Sequence, residues 1–189
     1  MGFFPIILDL SRVPIILVAK GRQGLNRLRQ FDAERDLVTV FSDDPSPEFL
    51  EFCHGAVIPR LPLAADLRAG GVLFIGDYAA DQAREIAAAG RAAGMLTNVE
   101  DLMDGCDFHT PSMVRRGNLL LTVSTGGHSP AMAVAVKEYL ADKFSDDWSA
   151  RLAEMAAMRQ QWKSEGRSYG EIKKLSAEFM TEQKWFEGM

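Results

Sequence analysis

The sequence is short of the residues that hold disulfides and metals. Its 189 residues include two cysteines and three histidines. Cys53 and Cys106 are far apart in the chain and form no CxxC pair, which excludes a disulfide framework and a thiolate zinc site. His54, His109 and His128 each lack a partner at ligand spacing, so no metal ligand is assigned and structural or solvated roles are expected. Long basic runs are also missing. With 21 Lys+Arg against 26 Asp+Glu the net charge is -5, which gives no footprint for nucleic acid. No apolar stretch reaches the roughly 20 residues needed to span a bilayer, so a membrane partner is not expected either. The opening residues Met1 to Leu10 have no basic region or cleavage motif of a signal peptide, and position 6 is not the Ser or Thr of a myristoylation signal. They are expected to be part of the fold, and the cytoplasm is the expected compartment. No internal repeat, low-complexity segment or long linker is found.

What is present is enough apolar content, 47%, for one ordinary core and a small second element. Residues 14–19 (PIILVA) and 37–41 (LVTVF) are short branched runs of the kind buried on both faces of a parallel sheet, with Leu25, Leu28 and Phe31 at helical spacing between them. The cluster Ser42-Asp43-Asp44-Pro45 stops the second run. The alternation continues with a short helix over 47–52, strands over 56–58 and 71–75, an Ala-rich helix over 79–93, and a strand over 95–99. Strands and helices in this rhythm predict a doubly wound, Rossmann-like parallel sheet, an α/β fold, over residues 1–111. The pattern then changes. Strand-like runs over 112–116 and 119–124 flank the turn Gly117-Asn118, as in a hairpin. Ser129-Pro130 is a helix start, with Met132, Val136, Tyr139, Leu140 and Phe144 on the apolar face. Two amphipathic helices are expected after Asp146, the first marked by Trp148, Leu152, Met155 and Trp162, the second by Ile172, Leu175 and Phe179.

Three constellations could carry chemistry. Ala19-Lys20-Gly21-Arg22-Gln23-Gly24 falls between the first strand and the first helix. It has the G-x-G-x-x-G form with Ala in the first glycine position, where the turn is expected to be tightest. Such a loop sets backbone amides against a pyrophosphate; the alternative is a plain strand-to-helix turn. Asp43 or Asp44, about 20 residues on, is where a carboxylate would accept from ribose hydroxyls. Ser124-Thr125-Gly126-Gly127-His128-Ser129-Pro130 is a hydroxyl-rich glycine loop, either an anion site or a connection whose Ser129 caps the next helix. Asn98-Val99-Glu100-Asp101 ends a strand where open α/β sheets place ligands. Its two acids offer a general base or a transient metal ligand, or a capped turn.

These blocks together resemble a known family. Asn98-Val99-x-Asp101, then Phe108-x-x-Pro111-Ser112-x-Val114-x-Arg116, then Ser124-Thr125-Gly126-Gly127-x-Ser129-Pro130-Ala131 resembles the precorrin-2 dehydrogenase/sirohydrochlorin ferrochelatase family, the N-terminal module of siroheme synthase. The likeness spans about residues 3–145, with residues 4–10 where the family has its opening strand. It implies an NAD-binding domain (1–111), a dimerisation region carrying a tetrapyrrole-binding loop (112–145) and a C-terminal helical part (146–189), assembled as a homodimer. The implied reaction is hydride transfer from precorrin-2 to NAD to give sirohydrochlorin. Chelation of ferrous iron, a substrate and not a resident cofactor, would give siroheme.

The resemblance maps the family's essential aspartate onto Asp101, a proton acceptor for either step. It implies NAD contacts from residues 19–24, from Ser42 and Asp43, and from Gly76 and Asp77 after the strand over 71–75. The polycarboxylate substrate would be met by Asn98, by Arg115 or Arg116, and by Ser124, Thr125, Gly126, Gly127 and His128. The sequence departs from the family in three places. Ala19-Lys20-Gly21 stands where three glycines are usual, Gly76-Asp77-Tyr78 where Ala-Thr is usual, and His109 where an apolar residue is usual. A ferrochelatase that does not use NAD and a non-catalytic tetrapyrrole- or nucleotide-binding module are the alternatives.

Overall fold

The computed structural model describes residues 2–187 of the chain. It divides between His109 and Thr110 into two compact units.

The first unit is built on four strands, β1 (Ile15–Val18), β2 (Val38–Phe41), β3 (Val72–Ile75) and β4 (Leu96–Val99). All pair in parallel, in the order β2-β1-β3-β4. Every residue of β1 and β3 is buried, as expected of strands covered on both faces. Alternate side chains go to opposite sides. Ile15, Leu17, Val72 and Phe74 join a core with Leu25 and Leu28 of α1 (Arg22–Phe31) and Phe49 of α2 (Pro47–Phe52). Ile16, Val18, Leu73 and Ile75 join a second core with Ala83, Ile86 and Ala87 of α3 (Ala80–Ala92). The period of two along each strand thus makes two hydrophobic layers, the doubly wound arrangement.

Two expectations need correction. Residues 2–9 form no strand, and Phe4 and Ile7 are exposed while Leu8 and Leu10 lean on the first core. Pro5 lacks a donor for a ladder, and no described strand pairs with this segment. Residues 56–58 shrink to a single bridge, Ile58 beside Phe41, because Gly55 and Pro59 flank the run.

The second unit contains the hairpin of β5 (Ser112–Arg116) and β6 (Leu119–Val123), followed by α4 (Pro130–Lys143), α5 (Asp147–Ser164) and α6 (Tyr169–Glu182). Arg116 faces Leu119 across a two-residue turn whose Gly117 has φ 57°, so the turn supplies the positive φ that a tight hairpin demands. The Ser129 hydroxyl accepts from the Met132 amide and Pro130 takes the first helical position, as expected of α4's start. Trp148, Met155 and Trp162 of α5 pack with Ile172 of α6 and with Trp185. A reciprocal capping box between Ser168 and Glu171 starts α6. On α4 the structure differs from expectation, since Ala133 is buried whereas Met132, Val136 and Tyr139 are exposed.

Candidate functional site at the switch point of the sheet

The chain leaves β1 for β2 on one side and later places β3 on the other. The crevice at the carboxyl ends of β1 and β3 is therefore the topological switch point, where this architecture binds ligands. Four segments line that edge, the glycine loop after β1, Ser42-Asp43 after β2, Gly76-Asp77-Tyr78 after β3 and Glu100-Asp101 after β4.

Ala19 continues the strand, its amide donating to the Phe41 carbonyl, and it is fully buried in the first core. Its methyl therefore lies inside the protein, and not in a tight turn as expected. Gly24 answers it. A Cβ at Gly24 would come within 2.5 Å of Ala19 Cβ and 2.7 Å of the Phe49 ring, so α1 approaches the sheet this closely only with glycine there. Arg22, the first residue of α1, is exposed.

The loop amides converge on a single anion, and that anion belongs to the chain. Asp77 Oδ2 accepts from Gly21 N at 2.9 Å, Gly24 N at 3.0 Å and Lys20 N at 3.4 Å, and Oδ1 accepts from Gln23 N at 2.9 Å. Asp77 sits at φ 66°, a left-handed conformation uncommon outside glycine. Its own amide donates to Gln23 Oε1 at 2.6 Å. Gly76 is buried against Gln23, where a Cβ would lie 3.1 Å from Gln23 Cβ.

At the next strand end, Asp43 is paired with Lys20 Nζ at 3.1 Å and accepts from the Tyr78 hydroxyl at 2.8 Å. Lys20 Nζ also lies 4.6 Å from the Tyr78 ring centroid. Burial pushes the Asp43 carboxyl upward, but the Tyr78 and Lys20 hydrogen bonds outweigh it and hold it below its ordinary value. Burial, and then the Asp43 carboxylate, push the Tyr78 hydroxyl well above its ordinary value, so it stays a donor. Ser42 is fully buried beneath this group.

The acids after β4 separate into two roles. Glu100 Oε2 accepts from Arg27 at 2.7 Å, a guanidinium buried on α1 that also donates to Asn98 Oδ1 and lies 4.7 Å from the Phe74 ring centroid. Asn98 is itself buried, and its amide donates to the Phe108 carbonyl. The Asn98 side chain thus fixes the backbone under the acids and does not reach solvent. Asp101 is exposed, at φ 58°, and its Oδ2 accepts from Gln23 Nε2 at 2.7 Å. One side chain, Gln23, therefore ties the glycine loop to Asp77 and to Asp101. Arg27 was not singled out from the sequence, and Tyr78 was noted only as part of a departure from the family, without a site role. The available signals were a cation within the Leu25-Leu28 stripe and a hydroxyl-bearing ring directly after a strand.

In the second unit, the Ser124–Ser129 loop is braced from within. Gly126 N donates to Ser124 Oγ, Ser129 N to Thr125 Oγ1, and His128 N to the Thr125 carbonyl. Gly126 and Gly127 both have positive φ, at 60° and 82°. Ser124, Gly127 and His128 are exposed, while Thr125 and Gly126 are half-buried. Arg116 donates to the Phe144 and Ala141 carbonyls at 2.7 and 3.0 Å, closing the end of α4, and pairs with Asp146. Arg115 is exposed. Arg116 is thus engaged by the end of α4.

Residues 6–112 match the NAD(P)-binding family, more than half of the chain. The chain belongs to this NAD(P)-binding family. It is also 27% identical over 183 residues to a siroheme synthase of Chromobacterium violaceum, covering 87% of this chain and 38% of that protein. A siroheme synthase of Methylococcus capsulatus is 30% identical over 136 residues, covering 70% of this chain and 29% of that protein. The chain thus spans well under half the length of these relatives. Among solved structures, the precorrin-2 dehydrogenase SirC superposes with a TM-score of 0.76 at 21% identity, covering 98% of this chain and 93% of that one. The Rossmann-like sheet, small antiparallel sheet and C-terminal helices are therefore a known fold combination. The resemblance read from the three sequence blocks agrees with these relatives.

The glycine loop of this family member fits an anion, because its amides already converge on one carboxylate. Residues 20–24 would hold the pyrophosphate of a dinucleotide and Asp43 its ribose; when bound, NAD supplies the hydride acceptor. Among the described residues no helix is long and apolar enough to cross a membrane.

Proposed function

We propose that this chain catalyses the NAD-dependent oxidation of precorrin-2 to sirohydrochlorin, in siroheme biosynthesis in the cytoplasm. The observation that carries the reading is the contact between Gln23 of the glycine loop and Asp101. It places an exposed carboxylate one side chain away from the amides that would take the dinucleotide. The siroheme synthase relatives supply the substrate class. Aromatising the macrocycle requires loss of a hydride and a proton, and Asp101 is the proton acceptor. Glu100, occupied by Arg27, is not.

Asp101→Asn is the informative variant, because asparagine tolerates the left-handed backbone and can still accept from Gln23. Turnover is expected to fall about 10²- to 10⁴-fold with the melting temperature preserved. An unchanged rate would remove Asp101 from the chemistry. The exposed arginine Arg115 and the loop from Ser124 to His128 are assigned to the substrate's carboxylates. Ferrous iron is the substrate of a second, chelating step that releases two pyrrole protons, one to Asp101 and one to solvent.

The functional unit is a homodimer. This is supported by the exposed apolar residues of α4, Met132 and Tyr139 at 60% and Val136 at 40% exposure. Sedimentation equilibrium should return twice the 20.9 kDa chain mass; a monomer at all concentrations would contradict it. A chelatase that does not use NAD is the second reading. It is favoured by one observation, the occupation of the loop amides by Asp77, and an NAD titration separates the two.

A further inference from the structure

The amides of a strand-to-helix glycine loop are left without partners by the helix itself, so an anion is drawn to them. Here Asp77 fills that role from the far side of the switch point, with contacts of 2.9 to 3.4 Å to four amides of the loop, those of Lys20, Gly21, Gln23 and Gly24. The neighbouring carboxylate is equally engaged, since Asp43 is held by Lys20 and Tyr78. The groups that would meet a pyrophosphate and a ribose are thus satisfied by side chains of the same unit. A pyrophosphate oxygen and the Asp77 carboxylate cannot share these donors, because two anions at hydrogen-bond distance of one set of amides repel each other and compete for each N–H. We infer that Asp77 is a built-in competitor for the dinucleotide, and that NAD seats its pyrophosphate on residues 20–24 only when the Asp77 side chain leaves them.

The inference rests on the proposed use of this loop for NAD. It requires that Asp77 lower the affinity of the loop for the dinucleotide. Departure costs the carboxylate its charge-assisted hydrogen bonds, and the incoming phosphates recover similar ones, so the net gain on binding is reduced. The backbone also favours movement of this residue. At φ 66° Asp77 occupies a conformation in which glycine is at ease, and the carboxylate's contacts with the loop are what reward it.

The test is a direct titration of the intact protein with NAD and with NADH, by calorimetry and by nicotinamide fluorescence, on the parent chain, on Asp77→Gly and on Asp77→Asn. Asp77→Gly keeps the backbone conformation and removes the carboxylate; Asp77→Asn keeps the shape and removes the charge. Both are expected to bind at least tenfold more tightly than the parent, and in the free state both should melt at a lower temperature, because Asp77→Gly removes the acceptor of the loop amides and Asp77→Asn leaves them one neutral oxygen in place of two charged ones. Affinities equal to or weaker than the parent's would overturn the competition while leaving NAD binding intact. Absence of binding by the parent and both variants would overturn the competition together with the assignment of this loop to NAD. If Asp77→Gly fails to fold, Asp77→Asn decides alone.

Discussion

Two glycine loops in this chain run from a strand into the N-terminus of a helix, and both hold amides that the helix leaves over. The loop at residues 19–24 takes its anion from 56 positions away in sequence, through Asp77. The loop at residues 124–129 uses its own hydroxyls, with Ser124 two residues from Gly126 and Thr125 four from Ser129. Unsatisfied donors find a partner in either case, but the source of that partner decides what the loop can do. A partner borrowed across the switch point can be exchanged for a ligand without unfolding the loop. Partners within the loop fix its shape, and they leave the exposed residues Gly127 and His128 to present to whatever binds.

The sharpest way to break the contrast is to force the first loop apart. Gly24→Ala drives a methyl against Ala19 and the Phe49 ring, which are both completely buried and have nowhere to go. A loss of about 1–3 kcal/mol is expected in urea unfolding, with weakened NAD binding. Full stability would show that α1 does not sit as close to the sheet as described.

The second loop should respond to a local change. Ser129→Ala removes the cap of α4 and is expected to cost about 1 kcal/mol, with NAD affinity untouched. A change in NAD affinity would deny the independence of the two loops.

The smallest effect concerns pH. Asp107, beneath β4, accepts from the amide and hydroxyl of Thr97 and pairs with Arg91. Burial pushes its carboxyl upward, but these bonds outweigh it and hold it below the ordinary value of 3.8. A carboxyl lowered on folding stabilises the protein above the unfolded value and loses that contribution as pH falls through the folded one. Asp107→Asn should therefore cost about 1 kcal/mol at pH 7, and the difference from the parent should shrink once the pH drops below about 4. A difference that is constant down to pH 2 would mean that charge is not its source.

The same contrast explains what could be read from the sequence. Features made by neighbours in the chain were legible, since the branched runs of β1 and β3, the Gly117-Asn118 turn, the Ser129-Pro130 start of α4 and the tryptophan spacing of α5 all depend on local pattern. The glycine loop is legible from its spacing, and the strand end marks Glu100 and Asp101 together, while the choice of Asp101 between them comes from the family resemblance. Long-range pairings were not legible. The spacing of the loop gives no sign that Asp77 would fill it, that Gln23 would bridge to Asp101, or that Arg27 would be buried against Asn98 and Glu100. Ala19 was expected in the tight turn, whereas its burial beside Gly24 follows from how α1 packs on the sheet. The opening segment failed as a strand for a similar reason, because a strand needs a neighbour and sequence alone does not provide one.

On the proposed function, the edge of the sheet joining residues 20–24 to Asp101 oxidises a tetrapyrrole with NAD. The most direct measurement is to mix the purified protein anaerobically with enzymatically generated precorrin-2, with and without NAD and with no metal added, while following the absorbance spectrum. Formation of sirohydrochlorin only when NAD is present, with matching production of NADH, is the expected result. Bound precorrin-2 that stays unoxidised at saturating NAD would contradict the claim.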